Sequence, residues 1–115
     1  PIDKVAAANG ETLVIAQIET ENGLANVDAI AATEGIDALW VGHFDLTNFL
    51  GIPGDFGNPV FTDALDTVVA AARRHGKGAA SMPSDAAAAR DMRARGFNVI
   101  GVGTDHGLLM EGSPA

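Results

Sequence analysis

The chain has 115 residues, of which 47% are hydrophobic and 19% charged, and this composition is typical of one globular domain. Its net charge of −8 excludes the basic surface that nucleic acids or anionic membranes attract, and no apolar run reaches the roughly 18 residues of a membrane span. The absence of cysteine excludes disulfides and thiolate metal sites and fits a cytoplasmic protein. The chain opens without a basic and apolar leader.

Two strand–helix units are predicted in the first half of the chain. Residues 12–18 form a nearly continuous apolar run, which is the pattern of a strand covered on both faces. Residues 23–34 carry apolar side chains at helical spacing, and Gly35 is typical of the position after a helix. A second strand is predicted over 36–41, with a loop rich in Gly, Asn and Pro over 47–58.

The second half repeats this alternation. Pro59 is expected near the first position of a helix that stops at Gly76. A short third strand is predicted over 78–81, and Ser84 is a candidate N-cap for the helix after it. A fourth strand over 97–102 leads into a short helical tail.

Strands that alternate with helices predict an α/β fold with a parallel sheet. A (β/α)8 TIM barrel takes about 250 residues, so we expect residues 1–115 to be one segment, four βα units, of a single barrel domain. The start at Pro1 without Met fits a partial chain. The alternative is a small open doubly wound domain, but the early Gly-rich turn of such nucleotide binders is missing from this sequence.

Polar residues at the predicted strand ends are the candidates for function, because sites in parallel α/β folds collect there. The first strand ends in Gln17, Ile18 and Glu19, and the first and last of these share a face because strand residues alternate. Asp45 follows the second strand. Two carboxylates on neighbouring strand ends suit Mg²⁺ or Mn²⁺. From the residues alone, a Glu that caps a loop and an Asp that caps a turn stay open as alternatives.

The motifs around these carboxylates resemble the HpcH/HpaI aldolase / citrate lyase β family. Gln17 to Glu19, and the segment from Gly42 to Thr47, resemble the family's paired signature of Q-[IV]-E followed by G-x-x-D-L-[ST]. Further similarity lies in three segments: Glu21 to Gly35, Gly51 to Pro53, and Gly101 to Asp105. The resemblance covers the whole chain and implies that it is the C-terminal half of the barrel.

The resemblance implies a divalent-metal-dependent aldolase that cleaves 4-hydroxy-2-oxo acids into pyruvate and an aldehyde. Glu19 and Asp45 would hold the metal (Mg²⁺, Mn²⁺ or Co²⁺), which stabilises the pyruvate enolate. Gln17 would hydrogen-bond a metal-bound water, and backbone N–H groups around Phe44 and Asp45 would bind the substrate carboxylate. Met82, at the third strand end, is expected to wall the pocket near the pyruvate methyl. The family also implies a homo-oligomer, a hexamer built from dimers, whose partners are small molecules.

Two parts of the family's machinery have no counterpart here. Its base, a His supported by an acid, and its oxyanion-binding Arg come from the first half of the barrel. The five Arg residues of this chain all fall on predicted helices. Neither Lys4 nor Lys77 is placed to form a Schiff base with the substrate.

The remaining candidates are expected to be structural. Many family members carry Pro at the position of His43 and Ala at that of Phe44, which puts the pocket's shape in doubt. We expect His43 to be a hydrogen-bonding loop residue, with a third metal ligand or a base as the alternative. We expect His75 to lie at a helix C-terminus, His106 at a helix start, and Trp40 in the outward-facing core.

Two other functions stay open. A lyase resembling citrate lyase β or malyl-CoA lyase would share the paired carboxylates, but the loops lack a basic cluster for the phosphates of coenzyme A. A half-barrel with a binding role would keep the fold without complete chemistry.

Overall fold

The computed structural model describes residues 2–114. Seven helices and four short strands alternate along them, which confirms the predicted α/β pattern. In chain order they are α1 (Ile2–Glu11), β1 (Ile15–Ile18), α2 (Glu21–Ala25), α3 (Val27–Ala32), β2 (Ala38–Val41), α4 (His43–Phe49), α5 (Pro59–Arg74), β3 (Gly78–Ser81), α6 (Ala86–Arg95), β4 (Val99–Ile100) and α7 (Asp105–Gly112). None of the helices within residues 2–114 is long and apolar enough to cross a bilayer.

The four strands form one parallel sheet in the order β1-β2-β3-β4. Gln17 pairs with Trp40, and Trp40 pairs with Ala80, so these three side chains share one face. Because all the strands are parallel, their four carboxyl ends meet at the same edge of the sheet, as the sequence predicts. This edge is where the polar strand-end residues come together.

The hydrophobic core lies between one face of the sheet and the helices that cover it. Ile18, Leu39 and Val41 are buried on this face, and the long helix α5 packs against them through its apolar stripe, which includes Phe61 and Leu65. Pro59 begins α5, and its neighbour Asn58 caps the helix by accepting a hydrogen bond from an amide of the first turn. The helical spacing of the apolar residues in α5 therefore correctly indicated that they lie in the core.

The opposite face of the sheet is open within residues 2–114. Ile15 and Val99 are 45% and 42% exposed on it. Trp40 lies on this face beside Gln17, so its predicted place in the outward-facing core is wrong. The error arose because a half-buried Trp in a mostly buried strand does not show which face it occupies.

The structure divides or shortens several predicted elements. The helix predicted over 23–34 is two short helices, α2 and α3, which meet at Asn26 because its side chain bonds back to Asn22 and its backbone leaves the helical region. Strand β1 begins only at Ile15, since Val14 bonds the side chain of Asp37. The loop predicted to start at residue 47 starts later, because α4 extends to Phe49. Helix α1 was not predicted, and it buries none of its residues.

Two predicted structural histidines lie where expected. His75 ends α5, and its Nε2 lies 3.0 Å from the carboxylate of Asp28, which also pairs with Arg74. The hydrogen bonds from His75 and then Arg74 hold the pKa of Asp28 below its ordinary value. These contacts join α3 to the C-terminal end of α5. His106 lies in the first turn of α7.

The N-cap of α6 differs from the prediction. Asp85, not Ser84, accepts a hydrogen bond from Ala88 N at 2.8 Å. A carboxylate at this position also interacts favourably with the positive end of the helix, an advantage that Ser lacks.

We expect Asp85→Ala to destabilise the complete protein by about 1 kcal/mol, the usual contribution of an N-cap. Ser84→Ala serves as the matched control and is expected to leave the free energy of unfolding unchanged. Urea unfolding of both variants measures this. Equal losses would show that Ser84 shares the cap.

Candidate active site

The candidate site lies at the carboxyl ends of β1 and β2. Glu19 follows β1 directly and is partly buried, whereas Gln17, on the same face, is exposed. Asp45 is exposed in the first turn of α4, and Gly42 separates that helix from β2. The sequence had indicated a carboxylate at the end of the strand, but Asp45 is carried by the helix α4 instead.

The side chains of Gln17 and Glu19 both approach Gly42. A Cβ added to Gly42 would lie 2.6 Å from Gln17 Nε2 and 2.9 Å from Glu19 Cβ. It would lie 3.3 Å from Glu19 Oε2. A side chain at this position would displace the amide of Gln17 and would require Glu19 to shift at its Cβ, so the absence of a side chain at Gly42 lets both polar groups lie beside the start of α4.

The N-caps of the two neighbouring helices involve neither carboxylate. Helix α2 is capped by Thr20, whose hydroxyl accepts a hydrogen bond from Gly23 N at 2.9 Å. Helix α4 is capped by Gly42 without a side-chain hydrogen bond. Neither Glu19 nor Asp45 is thus the cap of its neighbouring helix.

The first turn of α4 offers amide donors at the same place. Leu46 N donates to Gly42 O at 2.9 Å and is the first amide of the turn with a partner inside the helix. The preceding amides of His43, Phe44 and Asp45 have no intrahelical acceptor, as is general for the first residues of a helix. These groups could hold a carboxylate beside the acidic side chains.

The donor set fits a hard divalent cation that keeps open coordination positions. Glu19 and Asp45 supply carboxylate oxygens, which suit Mg²⁺ or Mn²⁺. No group of three or more His, Cys, Asp or Glu side chains within residues 2–114 could hold a metal ion. Mg²⁺ commonly takes one or two carboxylates and completes its shell with water and substrate oxygens, so a two-carboxylate site is compatible with it.

His43 is held in an aromatic cluster with Phe56 and Phe61. Its ring centroid lies 5.4 Å from that of Phe61 and 6.0 Å from that of Phe56. Its Nδ1 lies 3.1 Å from Val41 O, which agrees with the predicted hydrogen-bonding role. Burial lowers the pKa of His43, and the backbone contact only partly offsets this, so the ring is neutral near pH 7.

One cavity lies beside the carboxylates, not on them. It has a volume of about 590 Å³ between the ends of β2, β3 and β4, and its walls include Phe44 and Met82. Glu19, Asp45 and Gln17 do not line it. The carboxylates, rather than the cavity, are the candidate metal ligands, because an apolar cavity offers no hard ligands.

Met82 occupies the place expected from the sequence, at the end of β3. It is 42% exposed, and its Cγ would lie 3.5 Å from a Cβ added to Gly101.

The sequence did not reveal the aromatic cluster around His43, because Phe56 belongs to an irregular loop with no periodic pattern. The proximity of three aromatic residues along the chain, Phe44, Phe56 and Phe61, was the only available signal.

The basic side chains lie away from the candidate site, as predicted. Arg73 and Arg74 lie in the last turn of α5, and the other three Arg residues lie on α6. Lys77 donates to Ile36 O at 2.7 Å, at the amino end of β2 and opposite the carboxylates. Lys4 lies on the exposed helix α1.

Comparison with known proteins shows what this arrangement is similar to. The sequence model of the family described as HpcH/HpaI aldolase/citrate lyase matches residues 2–112. The 5-keto-4-deoxy-D-glucarate aldolase of Klebsiella pneumoniae is 37% identical over 107 residues, which are 93% of this chain and 42% of that protein. The chain thus spans less than half the length of the curated relatives it matches.

Solved structures agree in fold. An HpcH/HpaI aldolase/citrate lyase family protein from Burkholderia cenocepacia superposes with a TM-score of 0.90 at 38% identity, over 95% of this chain and 42% of that one. The protein CitE from Mycobacterium tuberculosis, solved in complex with magnesium and acetate, superposes with a TM-score of 0.67 at 28% identity. That match covers 78% of this chain and 43% of CitE. The four βα units therefore match part of the barrel-type fold of these proteins.

Proposed function

The chain belongs to the HpcH/HpaI aldolase/citrate lyase family, and on that premise we propose that it is the metal-binding part of an aldolase. The reaction is cleavage of a 4-hydroxy-2-oxo acid into pyruvate and an aldehyde. The observation that carries the proposal is the approach of Gln17 and Glu19 to Gly42, at the start of the helix that bears Asp45. This arrangement gathers two carboxylates, an amide and free backbone donors at one sheet edge.

Each group of the chain has a distinct part in this proposal. Glu19 and Asp45 would hold the divalent metal, which when bound polarises the 2-oxo group and stabilises developing negative charge. Gln17 Nε2 or Oε1 would orient water at that site. The first amides of α4 would bind the substrate carboxylate. These local donors would offset the repulsion between an anionic substrate and a chain of net charge −8. The magnesium in CitE supports the choice of metal.

The cleavage needs no reactant besides the 4-hydroxy-2-oxo acid. The hydroxyl on C4 gives its proton to a base, the C3–C4 bond breaks, and C4 leaves as an aldehyde. The electron pair of that bond passes to C3 as the pyruvate enolate, which a proton then converts to pyruvate. We propose that the base and the Arg facing the developing oxyanion lie outside these 115 residues.

The aldolase reading is better supported than the acyl-CoA alternative. The curated relatives that match at 36–38% identity are named 5-keto-4-deoxy-D-glucarate aldolases. A coenzyme A site would need cations for its phosphates, and the cavity at the sheet edge has none among residues 2–114.

We expect cleavage of 4-hydroxy-2-oxo acids by the complete protein to require divalent metal and to survive borohydride in the presence of pyruvate. The reason is that a Schiff base needs a Lys at the site, whereas Lys77 lies at the opposite end of the sheet. Pyruvate release is assayed after chelation, after addition of Mg²⁺ or Mn²⁺, and after borohydride. Pyruvate trapped covalently on a Lys, seen by mass spectrometry, would contradict the mechanism.

A further inference from the structure

The residues that directly follow the four strands form a row along the carboxyl edge of the sheet. The last residues of β1 and β2 pair with each other, as do those of β3 and β4. The next residues of the four strands are Glu19, Gly42, Met82 and Gly101. Neighbouring strands lie about 4.8 Å apart, so the backbone of Met82 is about 10 Å from that of Glu19. Met82, the large apolar side chain of the row, is thus within reach of a small molecule held at Glu19.

The side chain of Trp40 lies below this row on the open face of the sheet. Its ring atom Cη2 would lie 3.5 Å from a Cβ added to Gly101, although Trp40 belongs to β2 and Gly101 follows β4. The indole ring must therefore cross β3. Ala80, the residue of β3 that pairs with Trp40, is 0% exposed on a face where Ile15 is 45% exposed. The burial of Ala80 agrees with an indole ring that lies across it.

Met82 approaches the same point from the carboxyl edge. Its Cγ and Sδ would lie 3.5 Å and 3.9 Å from the Cβ added to Gly101. Trp40 and Met82 therefore meet in the space that Gly101 leaves free. An aromatic ring attracts a methionine sulfur, so this meeting is favourable as well as close.

The support of a rigid neighbour matters for Met82 because its side chain has three rotatable bonds and is 42% exposed. A wall made by a mobile side chain does not discriminate between ligands of slightly different size. Trp40 has only two rotatable side-chain bonds, is half-buried and spans two strands. Contact with Trp40 therefore restricts Met82 to fewer positions.

We propose that Trp40 is a positioning residue, which holds Met82 against Gly101 so that Met82 limits the size of the group at C3 of the 2-oxo acid. The inference rests on the proposed aldolase function and names the substrate class of the same site, a 2-oxo acid with an unsubstituted methyl at C3. With its carboxylate at the first amides of α4 and its 2-oxo group at the carboxylates, this acid would direct C3 along the row toward Met82. Gly42, between Glu19 and Met82 in the row, has no side chain to intervene.

The test is the exchange of C3 hydrogens for deuterium in pyruvate and in 2-oxobutyrate, which carries one more methyl group at C3. The proton that converts the enolate to pyruvate is removed again in the reverse step, so exchange needs no aldehyde. The complete protein with Mg²⁺ in D₂O is followed by NMR, and both rates are corrected for exchange by Mg²⁺ alone. We expect kcat/KM for pyruvate to exceed that for 2-oxobutyrate at least about tenfold, as one carbon in an apolar pocket allows.

Two substitutions and their combination separate positioning from a general structural role. Met82→Ala removes the wall and should lower the ratio at least about fivefold. Trp40→Phe keeps an aromatic ring on β2 that is too short to reach Gly101, and it should lower the ratio about threefold. In the Met82→Ala background, Trp40→Phe should change the ratio by less than about twofold, because the side chain that it positions is gone.

Two controls accompany these variants. Met110→Ala removes an equally flexible side chain that is 65% exposed on α7, outside the row, and should keep the parent ratio. Gly101→Ala should keep it too, since the added methyl would lie at ordinary contact distance from both Trp40 and Met82. Because Met82 is partly exposed, Met82→Ala tests the inference even if Trp40→Phe does not fold.

The outcomes separate the inference from the function on which it rests. A parent that does not distinguish the two acids, a ratio that Met82→Ala leaves unchanged, or an equal effect of Trp40→Phe in both backgrounds would overturn the inference while the aldolase function stands. Absence of exchange together with absence of 4-hydroxy-2-oxo acid cleavage, with metal present, would overturn both.

Discussion

Replacing Glu19 by Gln, or Asp45 by Asn, is expected to abolish divalent-metal binding and lyase activity in the complete protein while leaving it folded. Both substitutions keep the size of the side chain and remove its charge. Loss of groups that only support a metal ligand already lowers affinity about 10–100-fold, so loss of a direct ligand should lower it by more than about a hundredfold. Neither residue caps a helix or lies in the core, so the free energy of unfolding should change little.

Gly42→Ala provides a different test of the same site, because it changes position rather than charge. The added methyl would collide with Gln17 Nε2 and Glu19 Cβ and force both side chains away from α4. Metal affinity should therefore fall although both carboxylates are present. We expect the fall to be smaller than that caused by Glu19→Gln, because a displaced carboxylate can still reach the ion in part.

Calorimetric titration with Mg²⁺ and Mn²⁺ measures these effects, with pyruvate release as the second measurement. Glu21→Gln and Asp63→Asn are matched controls, since both remove exposed carboxylates from helices near and far from the site. The controls should bind metal as the parent does. Unchanged affinity in both Glu19→Gln and Asp45→Asn would exclude these residues as ligands.

The sequence predicted the parallel sheet, and the edge at which its carboxyl ends meet, because apolar patterns indicate buried strands and helices directly. Strand β2 and helix α5 carry long apolar patterns, and their order along the chain dictates a parallel sheet with its carboxyl ends together. Gln17 and Glu19 then follow from alternation along β1. Only the choice of metal ligation over capping needed the family resemblance.

Features that depend on single contacts could not be predicted in this way. The cap of α6 depends on which of two adjacent polar residues, Ser84 or Asp85, reaches an amide. The split between α2 and α3 depends on one side-chain bond of Asn26. The cavity depends on Phe56, whose loop has no period. The first two interactions join residues only three or four apart, but no periodic pattern in the sequence shows which side chain makes them. The contacts of Phe56 with His43 and Phe44 join distant parts of the chain, and the tertiary fold sets their positions.

The 115 residues alone are expected to show negligible aldolase turnover. Strands β1 and β4 are the two edges of the sheet, and edges with unpaired backbone groups favour association with other chains. The open face exposes Ile15 and Val99, and α7 exposes Leu109 by 71%. The matched aldolase relatives are more than twice as long, and we expect the rest of the complete protein to cover this apolar surface.

The isolated segment should also lack part of the catalytic machinery. Its sheet edge offers carboxylates and amides, but its five Arg residues lie on α5 and α6. The partly buried His43 lines an apolar cavity that neither Glu19 nor Asp45 lines. The loss of an oxyanion-binding group or of a base typically costs about a hundredfold or more each. Residues 1–115 should therefore aggregate or pair with a second copy, and keep at most weak metal binding. Size-exclusion chromatography and a pyruvate-release assay, run beside the complete protein, measure this, and a soluble monomer with ordinary aldolase rates would show that these four βα units form a complete enzyme.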